Sequence, residues 1–266
     1  MRLALSDGDS ATVALHGATV LSWIADGRER LFLSQTSRFN GRDAIRGGVP
    51  VCWPQFNARG DLPKHGFARN RSWQVDGPAQ LDREVAEVSL SLSSDNDTQA
   101  LWSHRFATRL TLTLWPGVLR IALGVQNLGD TPLAFTGALH TYLRVDDTAQ
   151  AALTGLGGLP QWDALQDVNG QADDVLRFPG AFDRVYSAAA GPLRLQDGGH
   201  ALTIAQSPEW AHTVVWNPGA EGAALLTDLE PGGHRHMLCV EAAQVFQPVT
   251  VAAGERWQGW QQFNVV

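Results

Sequence analysis

Apolar residues alternate with small or polar residues through much of the first half of the sequence. The alternation has a period of two in residues 12–23, 84–92, 105–115 and 119–127. Such a pattern buries one face of a strand and leaves the other in water. Turns rich in Gly and Pro separate these segments, and strands never alternate with helical segments of about 10–15 residues, which argues against a parallel α/β sheet. The pattern predicts an all-β fold of antiparallel sheets with few short helices, one of them over residues 161–165.

Composition narrows the class of protein further. Of the 266 residues, 44% are hydrophobic, and no repeat or linker divides the chain, so we expect residues 1–266 to form a single β-sandwich domain. The formal charge of −7 disfavours nucleic acid as a partner, because binding to it needs a basic face. Cys52 and Cys239 cannot build a disulfide framework and fit a reducing cytoplasm. With no secretory signal and no apolar run of membrane-spanning length, we expect a cytoplasmic protein without a membrane partner.

A cluster of positive charge stands out in this acidic chain. Six of its 20 Lys and Arg residues lie between positions 42 and 71: Arg42, Arg46, Arg59, Lys64, Arg69 and Arg71. They fall in or beside an irregular segment of about 25 residues, a length that globular domains rarely leave without structure unless it serves a site. Guanidinium groups bind phosphate or carboxylate through paired hydrogen bonds. The cluster therefore predicts an anion-binding site; the alternative is a solubilising charged loop.

Several common catalytic motifs are absent from the sequence. It contains no phosphate-binding G-x-x-x-x-G-K-[ST] loop and no G-x-S-x-G nucleophile elbow. His234 and His236 could place two imidazoles together, but no third ligand can be named, and a catalytic zinc needs three protein ligands. We interpret this stretch as a solvated turn.

Two strings in the irregular segment, residues 45–73 and called the basic segment below, resemble a known family. RGGVPVCWPQF (46–56) and PKHGFAR (63–69) are similar to the signature of the glucose-6-phosphate 1-epimerases, the D-hexose-6-phosphate mutarotases of the aldose 1-epimerase superfamily. Further landmarks occur before and after these strings in the family's order: GATVLSW (17–23), ALHTYL (138–143), FDRVY (182–186), VWNP (215–218) and CVEAA (239–243). The resemblance implies a large two-sheet antiparallel β-sandwich that interconverts the α and β anomers of an aldohexose 6-phosphate. It further implies no cofactor, no metal and a monomer.

The resemblance also assigns roles to six residues. They are His140 as catalytic acid, Glu241 as catalytic base, Arg46 and Arg69 as phosphate contacts, and His65 and Asp183 as sugar contacts. Opening a hemiacetal removes the proton of the C1 hydroxyl and protonates the ring oxygen, which is why the reaction needs both an acid and a base. The sequence departs from many relatives at Ala242, where they carry Pro, and at Asn57, where they often carry Gly. Both departures concern loop shape and leave the acid and base in place.

The residues themselves give independent reasons for and against these roles. Glu241 follows an apolar strand pattern, where an ionised carboxylate is costly unless it is paired or functional. His140 also lies in an apolar stretch, where a lone histidine is more commonly a hydrogen-bonded core residue. Asp183 could instead pair with Arg184 on the surface.

Alternatives to the leading function stay open at this point. The chain could be a mutarotase of unphosphorylated aldoses such as galactose, or a carbohydrate-binding sandwich without catalysis, because a fold does not fix a function. Also open are the preferred hexose phosphate and whether Trp53 or Trp216 contacts the sugar.

Overall fold

The computed structural model describes residues 1–77, 79–82 and 84–266. Within these residues the chain forms 22 strands and two α-helices, and all the ladders between named strands are antiparallel. The strands form one ten-stranded, one eight-stranded and one four-stranded sheet. The predicted all-β class with two large antiparallel sheets is confirmed, and the small sheet is an addition to it.

The strands are distributed among the sheets as follows. The four-stranded sheet contains β1 (Arg2–Ala4), β2 (Ser10–Val13), β3 (Val20–Ala25) and β4 (Arg28–Glu29). The ten-stranded sheet has the order β16 (Val175–Arg177), β13 (Ala152–Thr154), β18 (Leu193–Asp197), β19 (His200–Gln206), β22 (Arg256–Val265), β10 (Val118–Asn127), β9 (Phe106–Trp115), β8 (Ala86–Ser93) and β6 (Gln74–Val75), with β7 (Gln80–Leu81) also paired to β8. The eight-stranded sheet has the order β15 (Val168–Gln171), β14 (Pro160–Asp163), β17 (Phe182–Ser187), β20 (His212–Asn217), β21 (Met237–Val251), β11 (Leu133–Leu139) and β5 (Val51–Cys52), with β12 (Tyr142–Arg144) also paired to β21.

The helices are short. Both α1 (Asn96–Leu101) and α2 (Gly219–Ala224) have six residues, and two 3-10 helices cover Ala68–Asn70 and Gly233–His236. No helix in the described ranges is long and apolar enough to cross a membrane.

A shared core fills the space between the two large sheets. Phe135 of β11 packs against Trp257 of β22 with ring centroids 5.1 Å apart. The Thr141 hydroxyl donates a hydrogen bond to Gln261 Oε1 at 2.7 Å, and the Gln261 amide donates to the Val240 carbonyl at 3.0 Å. Aromatic packing and buried, satisfied polar groups therefore hold the two sheets in a fixed relation.

Strand β21 presents different residues on its two faces. Leu238, Val240 and Ala242 belong to the core between the sheets, whereas Cys239 lies in a separate apolar cluster on the opposite face. Successive side chains of a strand point to opposite faces, so Glu241 shares the outer face with Cys239. This face is buried as well, because irregular segments of the chain cover it.

The basic segment is one of these covers, and Trp53 anchors it. The Trp53 ring is fully buried and packs against Phe67 and Phe106, with centroids 5.9 and 4.7 Å away. The amides of Phe67 and Ala68 both donate to the Trp53 carbonyl at 3.1 Å. Gly66, at a φ of +67°, lies so close to the same carbonyl that any side chain would collide with it. Trp53 is thus a core residue that does not line the cavity described below, which answers the open question of sugar contact against Trp53.

The strand predicted over residues 12–23 is in fact two strands, β2 and β3. They are separated at Gly17, which has a φ of +69° and donates its amide hydrogen to the Arg71 carbonyl at 2.7 Å. A side chain at Gly17 would collide with the Arg69 carbonyl. The glycine therefore breaks the alternating pattern because the basic segment passes close by.

The helix predicted over residues 161–165 is wrong. Strand β14 occupies Pro160–Asp163 and forms a hairpin with β15. Asp163 accepts hydrogen bonds from the amides of Leu165 and Gln166 at 3.0 and 3.2 Å and so directs the turn. The weak periodicity of this stretch therefore belongs to a strand and a turn, and the Asp163 side chain satisfies the amides of that turn.

Candidate active site

One cavity of about 220 Å³ opens on the outer face of the eight-stranded sheet. All six residues to which the resemblance assigned roles line it: Arg46, His65, Arg69, His140, Asp183 and Glu241. They come from the basic segment, the end of β11, and strands β17 and β21. Residues nearly 200 positions apart are therefore brought to one place by the order of strands in the sheet and by the basic segment that covers its outer face.

His140 and Glu241 form a direct pair at the floor of this cavity. The distance from His140 Nδ1 to Glu241 Oε1 is 3.2 Å, and the two residues are 8% and 1% exposed. His140 directly follows β11, and its backbone amide donates to the Pro50 carbonyl at 3.0 Å. Glu241 Oε2 has no hydrogen-bond partner within the described chain. A buried carboxylate oxygen without a partner is costly and is characteristic of functional sites.

The surroundings of the pair favour its uncharged form. Burial raises the pKa of Glu241 well above its usual value, and the nearby Asp183 carboxylate raises it further. Burial lowers the pKa of His140, and positive neighbours, Arg69 and Arg46 among them, lower it more. These opposite shifts favour a neutral imidazole beside a protonated carboxyl group in the free protein.

Three aromatic side chains fix the orientation of the His140 imidazole. The Tyr142 ring stacks on it with a centroid distance of 4.8 Å and an interplanar angle of 10°. Trp216 approaches edge-on at 5.9 Å, and the His65 ring lies 5.5 Å away. Trp216 also lines the cavity, so it stays a candidate for sugar contact.

His65 is a neutral hydrogen-bond donor in this site. The Asn57 amide donates to His65 Nδ1 at 3.2 Å, so the proton of the neutral ring is on Nε2. Burial, together with the charges of Arg69 and Lys64, lowers the pKa of His65 to about 3. The ring packs edge-to-face against Phe56 at 5.4 Å. His65 can therefore offer an N–H group to a sugar hydroxyl at any physiological pH.

Four cationic side chains line the cavity: Arg46, Arg59, Lys64 and Arg69. Arg46 donates from Nε to Asp228 Oδ1 at 3.1 Å and from Nη1 to the Tyr142 hydroxyl oxygen at 3.0 Å. Arg69 donates from Nη2 to the Lys64 carbonyl at 3.0 Å, whereas its buried Nε has no hydrogen-bond partner in the described residues. The excess of positive charge and the free guanidinium N–H suit a dianionic ligand.

Two of these four cations, Arg59 and Lys64, were not singled out from the sequence as site residues. The Arg59 guanidinium lies over the rings of Trp162 and Phe246, 4.8 and 5.0 Å from their centroids. Trp162 lines the cavity too. It was not predicted as a site residue, because residues 161–165 were predicted to form a helix and Trp162 in fact lies in β14. The clustering of basic residues was the available signal for Arg59 and Lys64, but only the fold separates cavity residues from the rest of the cluster.

Asp183 lies at the cavity and not in a surface pair. The suggested pairing with Arg184 is wrong, because Arg184 Nε donates to Asp163 Oδ2 at 3.1 Å. Burial raises the pKa of Asp183 to about 6, and the nearby Lys64 charge limits the rise. Asp183 therefore changes its charge within the range in which many enzymes work.

Replacing Asp183 is expected to stabilise the protein in a pH-dependent manner. Its folded-state pKa of about 6 exceeds the ordinary 3.8, so the folded protein binds this proton more tightly and the free energy of unfolding falls as the pH rises from about 4 to about 6. Asp183→Asn should raise the free energy of unfolding by roughly 1–2 kcal/mol at pH 7.5 and hardly at all at pH 4. Urea denaturation at both pH values measures this. The exposed Asp130→Asn is the control, and equal gains at both pH values would contradict the prediction.

The floor of the cavity also has donor atoms at cation-binding spacing. The ligand atoms of His140, Cys239 and Glu241 all lie within 4.8 Å of one another, and the three residues are buried. Burial raises the pKa of the Cys239 thiol well above its usual value, and a thiol must lose its proton to bind zinc. The spacing is compatible with a cation, whereas the protonated thiol opposes one. That the protein needs no metal or cofactor stays a prediction.

Comparison with known proteins places the chain in a family. Residues 1–264 match the aldose 1-epimerase family. A Cenchrus ciliaris protein provisionally named glucose-6-phosphate 1-epimerase is 35% identical over 260 residues, covering 94% of this chain and 79% of that protein. An Escherichia coli protein with the same provisional name is 35% identical over 239 residues, covering 88% and 79%.

Solved structures agree with the sequence comparisons. The crystal structure of a Salmonella typhimurium protein provisionally described as a mutarotase superposes with a TM-score of 0.89 at 29% identity, covering 97% of this chain and 87% of that one. The chain therefore belongs to the aldose 1-epimerase family and is an isomerase that interconverts sugar anomers.

Proposed function

We propose that the substrate is an aldohexose 6-phosphate, with glucose 6-phosphate preferred, and that His140 and Glu241 exchange the protons of ring opening. The observation that carries the proposal is the contacting His140–Glu241 pair in a cavity lined by four cations. The provisional names of the Cenchrus ciliaris and Escherichia coli relatives support the phosphorylated substrate.

The pair can perform ring opening without other protein groups. The proton that the uncharged pair carries on Glu241 first passes to Nδ1 of His140. Glu241, now a carboxylate, takes the proton of the C1 hydroxyl while the C1–O5 bond breaks and C1 becomes an aldehyde carbon. The electron pair of that bond goes to O5, which takes the proton of the His140 imidazolium. Both oxygens are bonded to C1, so an acid and a base in direct contact can serve them together. Each positioned group is worth roughly 10²- to 10⁴-fold in rate.

The pair then works in reverse to close the ring. After opening, Glu241 carries the proton and His140 is neutral, while the aldehyde is free to turn about the C1–C2 bond. Closure on the other face of the aldehyde returns both protons and yields the other anomer. Nδ1 of His140 faces Glu241, which leaves Nε2 for the ring oxygen.

The cations suit the rest of the substrate. Both anomers must fit, so binding cannot depend on the configuration at C1 and has to use groups remote from it. A phosphate held by Arg46 and Arg69 supplies such a contact, and remote binding energy then orients the reacting end. His65 and Asp183, which also line the cavity, would contact sugar hydroxyls in this proposal. A mutarotase of unphosphorylated aldoses has no use for four cations around its cavity.

Exchange NMR on glucose 6-phosphate tests the proposal directly. With catalytic amounts of protein, magnetisation should pass between the α and β anomeric protons much faster than in buffer alone, and free galactose should show a far smaller effect. Faster exchange for galactose than for glucose 6-phosphate would favour the unphosphorylated-sugar alternative. Exchange no faster than in buffer for either sugar would leave only the carbohydrate-binding alternative.

A further inference from the structure

Arg46, Tyr142 and His140 form a continuous line of contacts through the floor of the cavity. Arg46 Nη1 donates a hydrogen bond to the Tyr142 hydroxyl oxygen at 3.0 Å. The Tyr142 ring lies flat on the His140 imidazole, at 4.8 Å and 10°. Tyr142 is only 2% exposed, so its ring cannot move independently of its neighbours. Displacement of the Arg46 guanidinium is therefore transmitted to the imidazole.

Arg46 has a protein partner that an incoming anion would replace. Asp228 accepts a hydrogen bond from Arg46 Nε at 3.1 Å, and both side chains are about one-fifth exposed. Arg46 and Arg69 line the catalytic cavity and also an adjoining cavity, which is bounded by Tyr142 and Asp228 as well. A dianion between the two arginines would compete with Asp228 for Arg46, and this would shift the hydrogen bonding of the guanidinium that holds Tyr142.

The charges of the two arginines reach His140 as well. Burial lowers the pKa of His140 most, and the neighbouring His65, Arg69 and Arg46 lower it further. Burial raises the pKa of the Tyr142 hydroxyl. Tyr142 therefore stays a neutral phenol and cannot offset the charges of Arg46 and Arg69. A bound dianion would neutralise both arginines and so favour the protonated imidazole that ring opening requires.

We propose that Tyr142 is a positioning residue through which a phosphate dianion held by Arg46 orients and activates His140. Phosphate then acts on the chemical step as well as on binding. The inference rests on the proposed function, because it takes His140 as the acid and the arginines as the phosphate contacts. Its consequence is that the dianion need not be attached to the sugar. Phosphite should activate the turnover of unphosphorylated glucose.

The experiment measures α–β exchange of free glucose by NMR, with and without sodium phosphite at constant ionic strength, and subtracts the rate without protein. Phosphite should raise the kcat/KM of the wild-type protein for glucose by roughly tenfold or more, the scale of a charge-assisted hydrogen bond. Tyr142→Phe keeps the ring and removes the hydroxyl. In this variant phosphite activation should be lost, and kcat for glucose 6-phosphate should fall roughly five- to tenfold with KM changed less than about twofold.

The only other tyrosine of the chain provides the matched control. Tyr186 is fully buried in the core between the sheets and does not line the cavity, so Tyr186→Phe should retain phosphite activation. A measurement on the wild-type protein supplements the variants. In protein labelled with ¹⁵N-histidine, the imidazole signals that disappear in His140→Asn should shift when phosphite is added without sugar.

The outcomes distinguish failure of the inference from failure of the proposed function. If the wild-type protein turns over glucose 6-phosphate but phosphite acts no better than chloride and does not shift the His140 signals, the inference is wrong and the proposed function stands. If Tyr142→Phe keeps full activation, the coupling does not pass through the hydroxyl and the inference is again wrong. Failure of the wild-type protein to turn over glucose 6-phosphate would overturn the proposed function itself.

Discussion

Glu241→Gln is expected to reduce the rate of glucose 6-phosphate anomer exchange by roughly 10²- to 10⁴-fold, the contribution of a positioned base. Glutamine has nearly the same shape but cannot take the C1 hydroxyl proton at neutral pH. Because the Glu241 side chain is 1% exposed and its environment favours the uncharged form, the neutral amide should fit with little loss of stability. Exchange NMR gives the rate, and thermal unfolding checks the fold.

The exposed Glu209→Gln provides the matched control, since it makes the same chemical change away from the cavity. It should leave the exchange rate within about twofold of wild type, as expected for a surface substitution. If folded Glu241→Gln protein exchanges the anomers at the wild-type rate, the assignment of Glu241 as the base is wrong.

Arg69→Ala is expected to lower kcat/KM for glucose 6-phosphate by roughly 10- to 100-fold, the scale of a lost charge-assisted hydrogen bond to phosphate. Turnover of free glucose should not fall, because free glucose has no group for Arg69 to bind and loss of the Arg69 charge removes one cause of the lowered His140 pKa. The substitution removes the Nη2 hydrogen bond to the Lys64 carbonyl, but the buried Nε has no partner in the described residues, so little intramolecular bonding is lost with the side chain. Steady-state rates on the two sugars give the comparison.

Arg42→Ala is the control for the loss of one positive charge in Arg69→Ala. Arg42 belongs to the same basic cluster but is exposed and does not line the cavity, so Arg42→Ala removes one positive charge without removing a contact. Both activities should stay close to wild type. Equal losses on both sugars in Arg69→Ala would instead indicate a structural role for Arg69.

Alternation along the chain was sufficient to predict the central strands of the ten-stranded sheet. Strands β8, β9 and β10 each lie within one or two residues of the predicted segments, because each buries one face against the core and leaves the other mostly half-buried. Local pattern was not sufficient at Gly17, where a close contact with a distant segment breaks the strand. It also missed α1, although the Asp95 side chain accepts from the Thr98 amide at 2.7 Å in a recognisable capping box.

The site was predictable where its residues lie on or next to strands, and at the positions of the basic segment that the family resemblance matched, Arg46, His65 and Arg69. Glu241 was conspicuous as a carboxylate in an apolar strand, and the family resemblance pointed to His140. Lys64 and Arg59 were not recognised, because their place at the cavity depends on how an irregular segment folds over the sheet. The roles of these residues, the single domain over residues 1–266, the monomer and the cytoplasmic location stay predictions.

The position of the proposed base, Glu241, on β21 has a consequence for how the two anomers are reached. The same strand supplies Val240 to the core between the sheets and Glu241 to the cavity, so the carboxylate is attached to one of the most rigid parts of the molecule. A strand held on both faces cannot swing its carboxylate from one side of the sugar to the other. The rotation about the C1–C2 bond that converts one anomer into the other must therefore occur in the open-chain aldehyde, while the Glu241 carboxylate keeps its position.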